Sequence, residues 1–129
     1  MRALKRSPKK RLRAAGNTDK PTLSRERLRR VTAYIEAHLA EPLSLKEIGE
    51  IACLSPFHFS RSFKRSMGVG LHDYVVRRRV ERAKQLALYS DLSLAQIAGA
   101  VGFDSQSSFT ARFRREVGLS PGRFRKERR

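Results

Sequence analysis

Apolar residues recur along most of this chain at spacings of three and four, the mark of helices that each lay one stripe against a core. Leu28, Val31, Ile35 and Leu39 predict a helix over about 24–39, which Pro42 cannot continue. Ser44, followed by Glu47, predicts a capping box that opens a short second helix ending near Ala52. Ser55 then reads as an N-cap, Pro56 as the first helical residue and Gly68 as the terminator. Phe59, Phe63 and Met67 form the inward stripe between them. The longest helix is expected over 71–89, with Leu71, Val75, Val76, Val80, Ala83, Leu86 and Ala87 on one broad face. Ser93 and Gln96 predict another capping box and a helix reaching about Val101, after which Gly102 allows a turn. A further helix over 105–117 turns Phe109 and Phe113 inward and closes at Gly118. Ser120-Pro121 opens a short last helix anchored by Phe124. No useful length alternates with period two. The expected fold class is therefore all-α, with about seven helices and no sheet.

The pattern occurs twice. Residues 43–68 can be laid on residues 92–118 with an offset of 49 up to Ser55 and Asp104, and of 50 afterwards. Ile48 then pairs with Ile97, Leu54 with Phe103, Phe59 with Phe109, Phe63 with Phe113 and Gly68 with Gly118. Lys64-Arg65 falls on Arg114-Arg115. Two unrelated helical hairpins would share the apolar periodicity, but hardly the basic pair and the terminal glycine as well. A short capped helix, a tight turn and a second helix with outward polar residues make a helix-turn-helix. The chain is thus divided into a first unit over about 44–67, a linker helix over about 71–89 and a second unit over about 93–117. Nineteen linker residues at 1.5 Å each span about 28 Å, near the 34 Å or so between successive major-groove openings.

In the first unit, Phe57, His58, Ser60, Arg61, Lys64 and Arg65 lie off the inward stripe. Aromatic, polar and Arg side chains near a helix start, with basic ones further along, suit a major groove. An ordinary amphipathic helix with a solvated basic face would carry the same pattern. The recurrence favours the groove.

Composition sharpens the choice of partner. The net charge is +17 in 129 residues, enough for one domain and a tail. The first 30 residues hold 12 Lys/Arg against 2 Asp/Glu, yet residues 31–129 still hold 17 against 10. Polyanion binding therefore does not rest on the start of the chain alone. Residues 1–22, with eight Lys/Arg, two Pro and little apolar content, are expected to be a disordered basic tail; residues 23–129 are expected to fold. Cys53 lies in an apolar run and reads as a small buried residue; a single cysteine forbids an intrachain disulfide and fits a reducing cytoplasm. No signal-peptide block and no run of membrane-spanning length is seen, so a cytoplasmic location and no membrane partner are expected.

Chemistry at a metal or nucleophile is not indicated. His38, His58 and His72 lack ligand spacing, and Gly68-Val-Gly70 lacks the third glycine and preceding strand of a dinucleotide turn. No enzyme activity, no cofactor and no small-molecule ligand are expected. His38 reads instead as a residue at a helix end. Membrane-surface binding would need a Leu-rich or aromatic face that the basic tail lacks. The stronger rival is non-specific DNA binding of the nucleoid-associated kind, which needs charge and no base contacts.

Residues 24–126 resemble the DNA-binding domain of AraC/XylS-type bacterial transcription regulators. The resemblance is carried by Leu43-Ser-Leu45, Ile48-Gly-Glu-Ile-Ala52, Ser55-Pro-Phe-His-Phe-Ser-Arg61, Phe63-Lys64, Gly68, Tyr74 and Arg79-Val-Glu-Arg-Ala83. It continues through Ile97-Ala98, Gly102-Phe103, Phe109, Phe113-Arg114, Gly118, Pro121 and Phe124-Arg125. It implies two helix-turn-helix units joined by a long helix. In size the chain is similar to small stand-alone activators of the MarA and SoxS type. That implies a monomer that binds double-stranded DNA, recruits RNA polymerase and, lacking a sensor, is controlled through abundance.

The resemblance implies base contacts from Phe57, Ser60 and Arg61 in the first unit and from Gln106, Ser107 and Thr110 in the second. Phosphate contacts are implied for His58, Lys64, Arg65, Ser108, Arg112 and Arg114. Phe57 and Ser60 depart from the Trp and Gln usual in MarA-like members, which implies a different target sequence. Ala111 occupies the slot equivalent to Arg61, where those members carry Arg. The second unit is thus expected to read few bases and to grip phosphate through Thr110, Arg112 and Arg114, unless Arg112 takes over the reading role.

Overall fold

The computed structural model describes residues 22–129; the expected tail lies outside these residues, Thr22 apart. Among the described residues there are seven helices and no strand. They are α1 (Arg25–Ala37), α2 (Leu45–Ile51), α3 (Pro56–Met67), α4 (Leu71–Tyr89), α5 (Leu94–Ala100), α6 (Gln106–Val117) and α7 (Pro121–Arg128). None of these helices is long and apolar enough to cross a membrane.

Serine starts nearly all of them. The hydroxyls of Ser24, Ser44, Ser55, Ser93, Ser105 and Ser120 each accept a backbone N–H of the first turn they cap. Each such cap contributes about 1 kcal/mol. Only one expected capping box closes fully, that of Ser93 and Gln96. At the other, Ser44 accepts from Glu47 N–H, but the Glu47 carboxylate takes the Tyr34 hydroxyl instead of reaching back. The box is half formed because a tertiary partner outcompetes the local one. Ser105, not Asp104, is the counterpart of Ser55, so Asp104 is the extra residue of the second turn. The second helix of each helix-turn-helix, α3 and α6, closes on a left-handed glycine, Gly68 at φ 81° and Gly118 at φ 92°; these two are the expected recognition helices.

Two apolar cores form, and no buried residue belongs to both. The first gathers Leu23, Val31, Ile35, Leu39, Ile48, Ala52, Phe59, Phe63 and Val75 from α1 to the start of α4. The second gathers Val80, Ala83, Ala87, Ile97, Ala98, Val101, Phe109, Phe113 and Phe124 from the rest of α4 to α7. Each is built around aromatic pairs: Phe59 with Phe63 at 5.5 Å, and Phe113 with Phe109 at 5.7 Å and Phe124 at 5.5 Å between ring centroids. Helix α4 is the one element that enters both. Its inward face changes partners between Val75 and Val80.

Cys53 corrects an expectation. It is exposed, not buried, and it stands at φ 60° in the turn between α2 and α3. The apolar run around it turns its other members, Ile51, Ala52 and Leu54, toward the core and leaves Cys53 at the outward bend. Arg125, in the last helix, donates to the carbonyls of Ala87 and Ser90 at 3.0 and 3.2 Å. It thereby holds the C-terminal end of α4 against α7.

Candidate nucleic-acid interface

Helix α3 buries Phe59, Ser62 and Phe63 and leaves Phe57, His58, Arg61 and Lys64 exposed, with Ser60 and Arg65 partly covered. Phe57 is 67% exposed, and the Arg61 guanidinium lies over its ring, 5.4 Å from the centroid. That stacking narrows the conformations open to a long charged side chain. His58 stays on the surface with Nδ1 3.4 Å from the Ser55 hydroxyl. Arg61, Lys64 and Arg65 border one shallow depression. All six expected residues of this helix therefore lie on one accessible side.

Helix α6 repeats the arrangement with different side chains. Phe109 and Phe113 are buried, while Gln106, Ser107, Ser108, Ala111 and Arg114 are exposed and Thr110 is half-buried. Gln106, Ser107, Thr110, Ala111 and Arg114 line a single shallow depression, left open because Ala111 is small where Arg61 is long. The basic pairs Lys64-Arg65 and Arg114-Arg115 sit in the last turns of their helices. There they also offset the helix dipole, an effect of about 0.3–1 kcal/mol each.

Arg112 is placed apart from the other expected residues. Its Nη2 donates to Asp73 at 2.9 Å and its Nε to Glu116 at 2.8 Å, and its side chain is largely covered. A guanidinium held by two carboxylates is more constrained than the exposed Arg61. Its counterpart in α3 is the buried Ser62, so this helix position faces the protein in both units.

Between the two units runs a cleft of about 670 Å³, bordered by Ser60 of α3, by His72 and Arg79 of α4, and by Gly102, Phe103 and Asp104 of the second turn. A second hollow shares His72, Arg79, Gly102, Phe103 and Asp104 with the first and is bordered by Ser108, Ala111, Arg112 and Arg115 of α6. Helix α3 thus borders the one and α6 the other. His72 and Asp73 carry no distinct signal in the sequence; Arg115 is marked by its match with Arg65, and Arg79 by the resemblance to AraC/XylS-type regulators, without its role. Their roles depend on contacts with residues distant in the chain.

Two helices of equal length, each set behind a short capped helix and a tight turn and each exposing a polar and basic side, define a double helix-turn-helix DNA-binding domain. The chain belongs to the AraC-type helix-turn-helix family, the family model described as a helix-turn-helix domain matching residues 48–127. A probable transcriptional regulator of Photobacterium leiognathi, LumQ, is 44% identical over 91 residues, 70% of this chain and 37% of that protein. The regulatory protein PocR of Salmonella typhimurium is 35% identical over 107 residues, 83% of this chain and 35% of that protein. The chain spans about a third of the length of these curated relatives. Among solved structures, an AraC-type transcriptional regulator from Chromobacterium violaceum superposes with a TM-score of 0.75 at 30% identity, covering 80% of this chain and 92% of that one.

Proposed function

We propose that this protein is a sequence-specific transcription regulator, an activator, that sets α3 and α6 into successive major-groove segments of double-stranded DNA. The observation that carries the reading is the repeat itself: α3 and α6, each capped by a serine, closed by a left-handed glycine and exposing a polar and basic side, occur within one chain. A protein with two such helices can read a site of two unlike elements as a monomer, whereas repressors with one unit per chain pair as dimers on half-sites a helical turn apart. The DNA-binding domain of AdpA was solved with a target DNA, and it superposes with a TM-score of 0.73 at 31% identity over 78% of this chain and 90% of that one. Activation through RNA polymerase is the role similar small regulators suggest.

Within this reading Arg61 is the principal base reader, bidentate to guanine, and Phe57 both steadies it and meets an adjacent thymine methyl. Ser60 assists. Lys64, Arg65 and His58 hold phosphates. In the second unit Gln106, Ser107 and Thr110 face bases, Ser108 and Arg114 hold the backbone, and Arg112 is a structural strut outside the contact set. The base readout is weighted toward the first unit, since Ala111 offers no donor.

The test separates two kinds of loss. Arg61→Ala should relax specificity at one base pair, at a cost of about 1–3 kcal/mol on the cognate site and little on random DNA. Lys64→Ala should weaken all sequences alike and reduce the salt slope by about one unit. Equal losses for Arg61→Ala on cognate and random duplexes would instead favour charge-driven, non-specific binding.

A further inference from the structure

The two apolar cores share no buried residue, and α4 is the one helix that packs into both. That helix sets the distance between the units, while any bending of its exposed middle would still change their mutual angle. Three polar or steric contacts close that freedom. Arg79, midway along α4, donates from Nε to the Leu39 carbonyl at 2.8 Å and from Nη2 to the Glu41 carbonyl at 2.9 Å, gripping the turn before α2. The other side of that guanidinium and the same Leu39 carbonyl press on the turn of the second unit. A methyl group on Gly102 would stand 2.8 Å from the Leu39 oxygen and 2.8 Å from Arg79 Nε. Gly102 is also at φ 100°, so no side chain fits there on either count. Beyond this point, Asp73, at the start of α4 beside the first core, accepts from Arg112 of the second recognition helix at 2.9 Å.

We infer that Arg79, Gly102 and the Asp73–Arg112 pair form a clamp between the units that fixes the separation and angle of the two recognition helices. Taken together with the two-element reading of the DNA site, on which this half of the inference rests, the clamp sets the spacing between elements that the protein accepts. A rigid pair gains from joint binding only when both faces are met at once; a loosened pair trades peak affinity for tolerance. Arg79, Asp73 and Arg112 act here as positioning residues, and none of the three needs to touch DNA.

The clamp is tested first without DNA. Spin labels are placed through Glu50→Cys and Ala95→Cys, exposed positions on α2 and α5, in the full chain carrying Cys53→Gly. The label distance should be a single narrow distribution by pulsed electron resonance. Arg79→Lys with Asp73→Asn, which keeps the Lys charge but loses the planar fork and the ion pair, should broaden it about twofold or more. Helical circular dichroism should be unchanged. Asp73→Asn alone, at a half-exposed site where unfolding is not at issue, should broaden it to a lesser degree. An equally narrow distribution in all variants, or a broad one in the parent, would overturn the clamp.

The second arm uses a duplex selected by the protein, with one or two base pairs inserted between its elements. The parent should lose about tenfold in affinity on insertion and the double variant less than about threefold. Equal losses would remove the clamp from spacing control. If the label distances behave as expected but no two-element duplex can be selected, the clamp stands and the two-element reading falls.

Discussion

Cys53 and Gly102 occupy equivalent places, one in each helix-turn-helix turn, and both stand at positive φ. The difference between them is physical. Gly102 is pressed by Leu39 and Arg79 and has no room for a side chain, whereas Cys53 is exposed and meets only the cost of its left-handed backbone. That cost is about 1–2 kcal/mol for a residue with a Cβ. Cys53→Gly should therefore raise the stability of the domain by about 1 kcal/mol, read as a shifted denaturant midpoint at unchanged slope. A neutral or destabilising result would mean that the thiol makes a compensating contact. The apolar residues beside Cys53 point to burial, yet it is exposed. The repeat held a better signal, since an offset of 49 aligns Cys53 with a turn glycine. The arginines were less legible. Arg79 and Arg125 grip carbonyls 38 to 40 and 35 to 38 positions away; the family resemblance marks both positions, but apolar periodicity does not separate them from exposed neighbours such as Arg77 and Arg82.

At the scale of elements, periodicity and serine caps were enough to place all seven helices, because each signal is local to its own helix. What they could not place was the competition for Glu47, whose partner Tyr34 belongs to another helix. The separation of the cores was equally hidden, since one continuous apolar face on α4 serves both. It has a direct consequence. Phe113 is fully buried between Phe109 and Phe124 in the second core, and Phe113→Ala should cost about 3–5 kcal/mol. Amide exchange should then speed up in α5 to α7 while α1 to α3 keep most of their protection. Uniform loss of protection would show that the units fold as one cooperative block.

The whole molecule depends on polar links between units, and one of them titrates. The hydrogen bond from Arg112 holds the Asp73 carboxyl below the ordinary carboxylate range, against a smaller opposing effect of desolvation. A folded-state pKa below the unfolded value means that the stabilisation is present above about pH 4 and is lost as the pH falls through the folded value. Asp73→Asn should remove that part of the acid dependence, so that thermal midpoints of parent and variant converge toward pH 2 or so and differ most near neutrality. Parallel curves at all pH values would leave the ion pair without a role in stability. The charge of the molecule bears on partner class in the same way. At +17, affinity for any duplex is expected at low salt, so only selectivity at moderate salt distinguishes a reader from a polycation.

That distinction is met most directly by selecting binding sites from a random duplex pool at about 150 mM salt with the full chain. One enriched motif of about 20 base pairs is expected, with two elements a helical turn apart and the more strongly selected positions in the element read by α3. An unenriched pool would contradict it and leave charge as the basis of binding.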